Sequence, residues 1–187
     1  MHRPLAALAI TALLALTTPA WAQSSLDDYD KSREALLQVW SGLPLSVRNV
    51  TLVKESVPSY GDFEPRGSQS YKPTDEIHVY VEVLGYGWKD NGDGTLSELL
   101  DADLQLLDAQ GNLLGHQDGF LNADIRSRSK LLETYLNLSA TLSSFEAGGY
   151  KLQFVLHDRA AGKEVTFAVP VTLLGADASE PDASSAQ

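Results

Sequence analysis

The sequence predicts an all-β fold, an immunoglobulin-like antiparallel β-sandwich of about seven strands preceded by one short N-terminal helix. Three observations lead to this prediction. Residues 75–88 alternate β-branched and polar side chains, the pattern of a strand in a sheet. Further segments with apolar residues at every second position follow along the chain. Gly- and Asn-containing turns separate these segments at intervals typical of a sandwich.

The segment from Asp75 to Trp88 is the clearest strand and the expected anchor of the core. One face carries Ile77, Val79, Val81 and Val83, and the other carries His78, Tyr80 and Glu82. Burying each aliphatic side chain contributes roughly 1.5–3 kcal/mol before conformational entropy is subtracted. We therefore expect the aliphatic face to point into the core and the polar face to point away from it.

A helix is predicted from about Leu26 to Trp40. Ser25 and Asp28 resemble a capping box, and Gly42 and Pro44 end the pattern. The residues at helical spacing are Leu26, Tyr29, Arg33, Leu36, Leu37 and Trp40. We expect this apolar stripe to cover the sheet, with Trp40 as its largest anchor, and a partner-binding helix is the alternative.

The remaining strands follow from period-two patterns separated by turns. They are expected at 45–53, 97–107, from 113 onward as a short strand, within 127–142, at 150–156 and at 165–171. A long polar connection covers residues 54–74. The segment 127–142 also allows one helical turn, but its alternating Asn, Ser and Thr favour a strand. Pro170 marks the last strand as an edge or bulged strand.

Three sequence stretches carry a resemblance: YGDFEPR, the YVEV strand and AGGYKLQFVLHDRAAGKEVTFAVPV. In this arrangement residues 45–174 resemble a group of uncharacterised exported bacterial proteins with a single immunoglobulin-like domain. The resemblance implies the compartment and the fold, and it implies no known activity.

The first residues predict an export signal. Met1–Arg3 is basic, residues 4–16 are mostly apolar, and Ala20-Trp21-Ala22 is an A-x-A cleavage site. The apolar run is too short for a membrane span, which disfavours an uncleaved anchor. The expected organisation is a signal peptide at 1–22, a helix and linker at 23–44, a β-sandwich domain at 45–174 and a disordered acidic tail at 175–187.

Charge and cysteine content restrict the partners and the compartment. The chain has 14 Lys and Arg against 25 Asp and Glu, a net charge of −11, and loss of Arg3 with the signal leaves 13 − 25 = −12. This acidity argues against nucleic acid and against insertion into anionic membranes after signal cleavage. The absence of cysteine excludes disulfides, thiol catalysis and a lipidated Cys, so we expect a periplasmic or secreted protein.

No motif predicts a catalytic residue, a metal site or a cofactor. Residues 89–100 partly resemble a calcium loop, but Lys89 and Leu100 stand where carboxylates are needed. A hairpin turn is the preferred interpretation, with a weak irregular site of Asp90, Glu98 and Asp101 as the alternative. The histidines of the mature chain show no local ligand spacing. Paired carboxylates such as Asp101 and Asp103 fit a solvated sheet face.

Aromatic residues give the remaining functional signal. The candidate binding residues lie before and after the anchor strand, next to loop glycines, and are Tyr60, Phe63, Arg66, Tyr86 and Trp88. The hypothesis is that residues 54–74 run back along the sheet and build an aromatic surface for a protein or glycan partner in the cell envelope. The alternative is that these rings form a satellite core.

Two function classes therefore remain. The first is an exported, non-catalytic binding or assembly module. The second is a periplasmic enzyme or enzyme subunit that uses dispersed carboxylates and histidines. A cleft holding two carboxylates or two histidines favours the enzyme, an aromatic-edged sheet favours binding, and a structural spacer domain has neither.

We predict that export removes residues 1–22, because the A-x-A site precedes Gln23. N-terminal sequencing of the protein recovered from the periplasm or the medium is expected to begin at Gln23. A mature protein that begins at Met1 would contradict the prediction.

Overall fold

The computed structural model describes residues 25–175. The predicted signal peptide and nearly all of the predicted tail lie outside these residues. An all-β fold with one leading helix and two sheets is confirmed. The elements are α1 (Leu26–Ser41), β1 (Ser46–Val53), β2 (Ser70–Tyr71), β3 (Glu76–Leu84), β4 (Lys89–Asp90), β5 (Leu96–Asp108), β6 (Leu113–Ser127), β7 (Thr134–Thr141), β8 (Gly148–Asp158) and β9 (Lys163–Leu173).

The described residues divide into two units, with the boundary between Ala35 and Leu36. In the first unit, the capping box at the start of α1 is confirmed. The N–H of Asp28 donates to Ser25 Oγ at 3.1 Å, and the N–H of Ser25 donates to Asp28 Oδ2 at 3.1 Å. Between residues 25 and 175 no helix is long and apolar enough to cross a membrane.

Within the second unit the expected burial of the apolar stripe of α1 holds only in part. Leu36 is exposed and Leu37 is half-buried, whereas Trp40, the predicted anchor, is buried at the C-terminal end of the helix. The Trp40 indole N–H donates to the backbone oxygen of Tyr86 at 2.9 Å. Helical spacing predicts that side chains share a face, but it does not determine what covers that face.

In the second unit, two sheets share one hydrophobic core. The three-stranded sheet has the order β1-β3-β7, and the larger sheet has the order β2-β9-β8-β5-β4, with β6 also paired to β5. All pairings are antiparallel except that of β2 with β9. One of the sheets is curled into a half-barrel. The core is formed mainly by β3 and β7 facing β5, β8 and β9.

The predicted anchor strand lies at the centre of the smaller sheet, as β3. Its aliphatic face is buried as expected. The expectation for its polar face needs correction, because Tyr80 is 0% exposed and Glu82 is 3% exposed. Part of the connection between β1 and β2 packs against that face, so β3 is covered on both sides.

The ambiguous segment 127–142 contains a strand, Thr134–Thr141, and no helical turn. It pairs with β3 from Thr134 opposite Val83 to Thr141 opposite Glu76. The strand that begins at Leu113 is much longer than expected and runs to Ser127. Within the described part of the chain it pairs with β5 alone. All of its residues are exposed or half-buried, which agrees with its weak hydrophobic alternation.

Within residues 25–175 no strand pairs with one side of β9 before Thr172, which agrees with the interpretation of Pro170 as a mark of an edge strand. β8 covers one side along the whole strand, whereas β2 covers the other side only at Thr172 and Leu173. At its beginning, Lys163 Nζ donates to the backbone oxygens of Leu43 at 2.8 Å and Gly85 at 2.6 Å. The lysine therefore fastens the start of β9 to the residues just before β1 and just after β3.

Gly85 lies where no side chain fits. Its φ is +75°, and a Cβ there would lie 2.2 Å from the backbone oxygen of Pro44. We predict that Gly85→Ala lowers the melting temperature by many degrees, because it adds a backbone clash to the cost of roughly 1–2 kcal/mol for an L-residue in the left-handed region. Gly92→Ala is the matched control, since Gly92 has a φ of +77° and open space around its Cβ position. Equal losses in thermal unfolding experiments would contradict the steric argument.

Candidate functional site

The predicted site residues lie in separate environments. Residues 54–69 form a covering segment over the outer face of β3. In this segment the Tyr60 hydroxyl donates to Glu82, and the Phe63 ring stacks on Tyr80. Tyr86 and Trp88 belong to the main core. The structure therefore does not join these rings into one exposed aromatic surface.

Glu82 fixes the covering segment to the sheet. Its Oε2 accepts from Arg48 Nε at 2.6 Å and from the Tyr60 hydroxyl at 2.9 Å. Its Oε1 accepts from Asn49 Nδ2 at 2.9 Å and from the Tyr80 hydroxyl at 3.1 Å. Burial alone would raise the pKa of Glu82, but these hydrogen bonds prevail and hold the pKa below its ordinary value. The buried carboxylate is thus ionised and fully bonded.

A β-bulge in β1 brings two of these donors to the same carboxylate. Arg48 pairs with Glu82 and Thr51 with Tyr80, so β1 has one residue more than β3 between these pairs. Asn49 has a φ of +50° and is the only non-glycine residue with positive φ between residues 25 and 175. Asn tolerates this left-handed backbone better than most residues. The bulge allows Arg48 and its neighbour Asn49 both to reach Glu82.

The covering segment has a small hydrophobic core of its own. The rings of Phe63 and Tyr80 stack with centroids 4.5 Å apart, and Val53, Val57 and Tyr135 complete the cluster. This is the satellite core that the sequence allowed as an alternative, and Phe63 is part of it.

Backbone hydrogen bonds hold the same segment. The N–H of Gly61 donates to the Tyr80 hydroxyl at 2.8 Å, and burial raises the pKa of Tyr80 to about 12. The N–H of Val57 donates to Asn137 Oδ1, and Asn137 Nδ2 donates to the backbone oxygen of Val57, each at 2.9 Å. Side chains on β3 and β7 thereby satisfy backbone groups of a segment without regular structure.

A pocket of about 280 Å³ lies on this segment. Its lining residues are Glu55, Ser56, Val57, Pro58, Asp62, Phe63 and Glu64. Glu64 forms an ion pair with Lys54. The exposed carboxylates of Glu55 and Asp62 form no hydrogen bond or ion pair with the residues that the structure describes. The pocket therefore combines an aromatic and aliphatic floor with two uncompensated negative charges at its rim.

Arg66 has a different environment from the one expected. Its guanidinium lies over the ring of Tyr71 at 4.2 Å and donates to the backbone oxygen of Ser70 at 2.9 Å. Its backbone N–H donates to the oxygen of Leu52 at 2.8 Å. Arg66 therefore connects the end of β1 to β2, and it does not line the acidic pocket.

Tyr86 and Trp88 pack around Trp40. Tyr86 meets Trp40 edge to face at 5.1 Å between centroids, and Trp88 lies 6.0 Å from Trp40 and 5.6 Å from Tyr86. Tyr86 is 1% exposed, and burial raises its pKa strongly. Lys130 Nζ lies 5.2 Å from the Trp88 ring. Both rings pack in the core. The Tyr86 side chain is buried, and the Trp88 side chain is partly accessible.

Glu98 is a buried carboxyl group that the sequence analysis did not single out as a core residue. It is 1% exposed, and Thr134 Oγ1 lies 2.7 Å from its Oε2. Thr134 Oγ1 also lies 2.8 Å from the Tyr86 hydroxyl, which is 3.0 Å from the backbone oxygen of Leu131. The Thr134 hydroxyl donates to Glu98, and the Tyr86 hydroxyl donates to the carbonyl oxygen of Leu131.

The surroundings of Glu98 raise its pKa above the ordinary value of a glutamic acid. Burial is the main cause that raises its pKa, and the carboxylate of Asp158 adds repulsion. The Trp88 indole favours the ionised form, although its Nε1 has no partner at hydrogen-bonding geometry. Asp158 itself accepts from the N–H groups of Gly87 and Ala160 at 2.7 and 2.9 Å, which compensates its charge.

The other polar side chains of the larger sheet pair with one another. His157 lies between two carboxylates, 2.9 Å from Asp103 Oδ2 and 3.2 Å from Glu164 Oε2. Asp101 forms an ion pair with Arg159. Among residues 25–175 no three His, Cys, Asp or Glu side chains are grouped to hold a metal ion.

The segment that partly resembles a calcium loop forms a hairpin connection between β4 and β5. Asp93 pairs with Arg126 and accepts from the N–H of Thr95 at 3.1 Å, and Asp90 accepts from the N–H of Gly92 at 2.8 Å. These carboxylates stabilise the turn, as the Asx and Gly residues of the sequence indicate.

Comparison with known proteins adds no relative to this description. No protein-family model matches the chain, and no curated protein matches it significantly.

We predict that Glu98→Gln makes the domain more stable at neutral pH by a few degrees of melting temperature. The folded state raises the pKa of Glu98, so the folded state holds the proton more tightly than the unfolded state. Stability is then fully present at acidic pH and falls as the pH rises through the raised pKa. The amide cannot ionise, and its N–H can donate to Thr134.

The measurement is a series of thermal unfolding curves between acidic and mildly alkaline pH. Wild type and variant should agree at low pH and separate as the pH rises. Asp124→Asn, which neutralises an exposed carboxylate on β6, is the control and should follow wild type. A Gln variant that is less stable at every pH would show that ionised Glu98 is part of the native state.

Proposed function

We propose that the chain is an exported, non-catalytic binding or assembly module built on an immunoglobulin-like β-sandwich. The strand order supports this fold. When β1, β3, β5, β6, β7, β8 and β9 take the names A, B, C, C′, E, F and G, the sheets become A-B-E and G-F-C-C′. The curled sheet and the added parallel pairing of β2 with β9 distinguish the chain from a simple seven-stranded sandwich.

The observation that supports binding is the acidic pocket over Phe63. Its floor is held in place by the Phe63–Tyr80 stack, and Glu55 and Asp62 at its rim lack compensating cations in the part of the chain that the structure describes. A long connection fixed on a rigid sheet is a common location for binding residues. An apolar floor below free carboxylates fits a lysine or arginine side chain, which has an apolar stem and a cationic end.

We propose a protein partner in the cell envelope that presents such a basic side chain, with a glycan partner as the alternative. The same charges repel nucleic acid and anionic lipid surfaces. Periplasmic or secreted localisation belongs to the proposal and is supported by the signal-like sequence of residues 1–22.

The enzyme alternative has less support from the geometry. The pocket contains three carboxylates, Glu55, Asp62 and Glu64, and all three are exposed. General acid–base catalysis by a carboxyl group usually needs a site that shields the group from water and shifts its pKa. The shielded carboxyl groups, Glu82, Glu98 and Asp158, bond within the fold. His78 and His157 do not line the pocket.

We predict that the pocket binds a short capped peptide with a central lysine and that the double variant Glu55→Gln with Asp62→Asn weakens this binding by about tenfold or more. The loss follows from removing two rim charges without changing side-chain shape. The measurement is an NMR titration, in which the amides of residues 55–64 should shift.

The matched control is the double variant Asp118→Asn with Asp124→Asn, which removes the same charge from exposed positions of β6. It should bind like wild type, and a peptide with glutamine in place of lysine should bind neither protein. Equal weakening by both double variants would attribute binding to net charge and contradict a role for the pocket. Binding of an oligosaccharide at residues 55–64, without binding of the lysine peptide, would favour the glycan alternative.

A further inference from the structure

The free edge of β9 carries backbone groups without a strand beside them. The N–H groups of Thr172 and Leu174 donate to the backbone oxygens of Gln69 and Tyr71, each at 2.8 Å. The backbone N–H and C=O groups of the even-numbered residues of β9 therefore point to the edge on which β2 lies. Glu164, Thr166 and Ala168 therefore also direct their N–H and C=O groups to this side. Among the described residues, no strand pairs there.

Strand β1 runs beside this edge without pairing to it. A groove of about 410 Å³ separates residues 50–52 of β1 from residues 168–170 of β9, with residues 65–69 at its end. The segment that pairs with β9 further along, Ser70–Tyr71, shows that this edge accepts a strand. An unprotected edge is a template for another strand.

We propose that this edge pairs with the same edge of a second copy, antiparallel and centred on Thr166, so that two copies join their larger sheets into one. In that register Glu164 pairs with Ala168 of the second copy and Thr166 pairs with its own counterpart. The twofold arrangement presents the same surface from both copies, as most homodimers do.

The ends of the free run fit this register. Pro170 has no N–H, and it falls opposite Gly162 of the second copy, just before that copy's β9 begins. The N–H of Gly162 already donates to the oxygen of Asp158 at 2.8 Å. The paired region therefore ends on both sides where donors are no longer available, and no edge N–H within it lacks a partner.

The side chains are compatible with the same register. Val165 and Phe167 face the core and are only partly buried, and Phe167 stacks on Phe154 at 5.3 Å between centroids. Val165 would lie opposite Phe167 of the second copy, which covers both. On the outer face, Thr166 meets Thr166 and Glu164 meets Ala168, so no like charges lie opposite each other.

Net charge makes this association weak and salt-dependent. Each chain carries a net charge of −11, and the repulsion between copies is screened as ionic strength rises. The edge is separate from the acidic pocket, so the dimer does not depend on the function proposed above.

Sedimentation velocity on the mature protein, from micromolar to millimolar concentration and in low and high sodium chloride, tests the proposal. We expect a monomer–dimer equilibrium that shifts to dimer as concentration and salt rise. Thr166→Pro removes one edge N–H, a position where a strand tolerates proline, and should weaken dimerisation by about tenfold or more. Thr166→Ala keeps the N–H and should dimerise like wild type.

Amide hydrogen exchange of the wild type gives a second test that needs no variant. The amides of Glu164, Thr166 and Ala168 should gain protection as concentration rises, whereas those of Val165 and Phe167, already bonded to β8, should not change. A monomer under all conditions, equal dimerisation by the proline and alanine variants, or protection independent of concentration would each overturn the proposal.

Discussion

The buried, ionised carboxylate of Glu82 is the interaction on which the smaller sheet depends. It collects four side-chain donors from β1, β3 and the connection that follows β1. A buried charge is tolerated only when it is bonded, so each donor has a fixed place. The bulge in β1 and the position of Tyr60 satisfy this requirement. The covering segment in turn positions Phe63 on Tyr80 and presents the acidic pocket.

Glu98 responds to burial in the opposite direction. Four donors hold the pKa of Glu82 below its ordinary value, whereas at Glu98 burial outweighs the contacts with Thr134, Trp88 and Tyr86 and raises the pKa. The carboxylate of Asp158 adds to this rise. Glu82 lies under the segment that follows β1, and Glu98 lies in the core near Tyr86. Residue type alone therefore does not determine the pKa of a buried group.

Local sequence patterns predicted the regular elements well. Alternation identified β3 and its aliphatic face, and the capping box located the start of α1. What the sequence did not predict depends on contacts distant along the chain. The burial of Tyr80 and Glu82 requires residues 54–69 to fold onto β3, and the bulge at Asn49 has meaning only opposite Glu82. For the site, the sequence identified Phe63 but not Glu55 or Asp62, because ordinary acidic residues become notable only around a pocket.

The short parallel pairing of β2 with β9 has a mechanical consequence. β2 follows a segment bonded to β1 through the Val53–Pro65 bridge, and β9 leads directly to the C-terminal end of the described chain. Tension between the residues before β2 and those after β9 would pull two parallel strands lengthwise past each other. Their hydrogen bonds would then carry the force together, in shear, instead of opening one after another. The two residues of β2 thus oppose, in shear, a separation of the segment before β2 from the segment after β9.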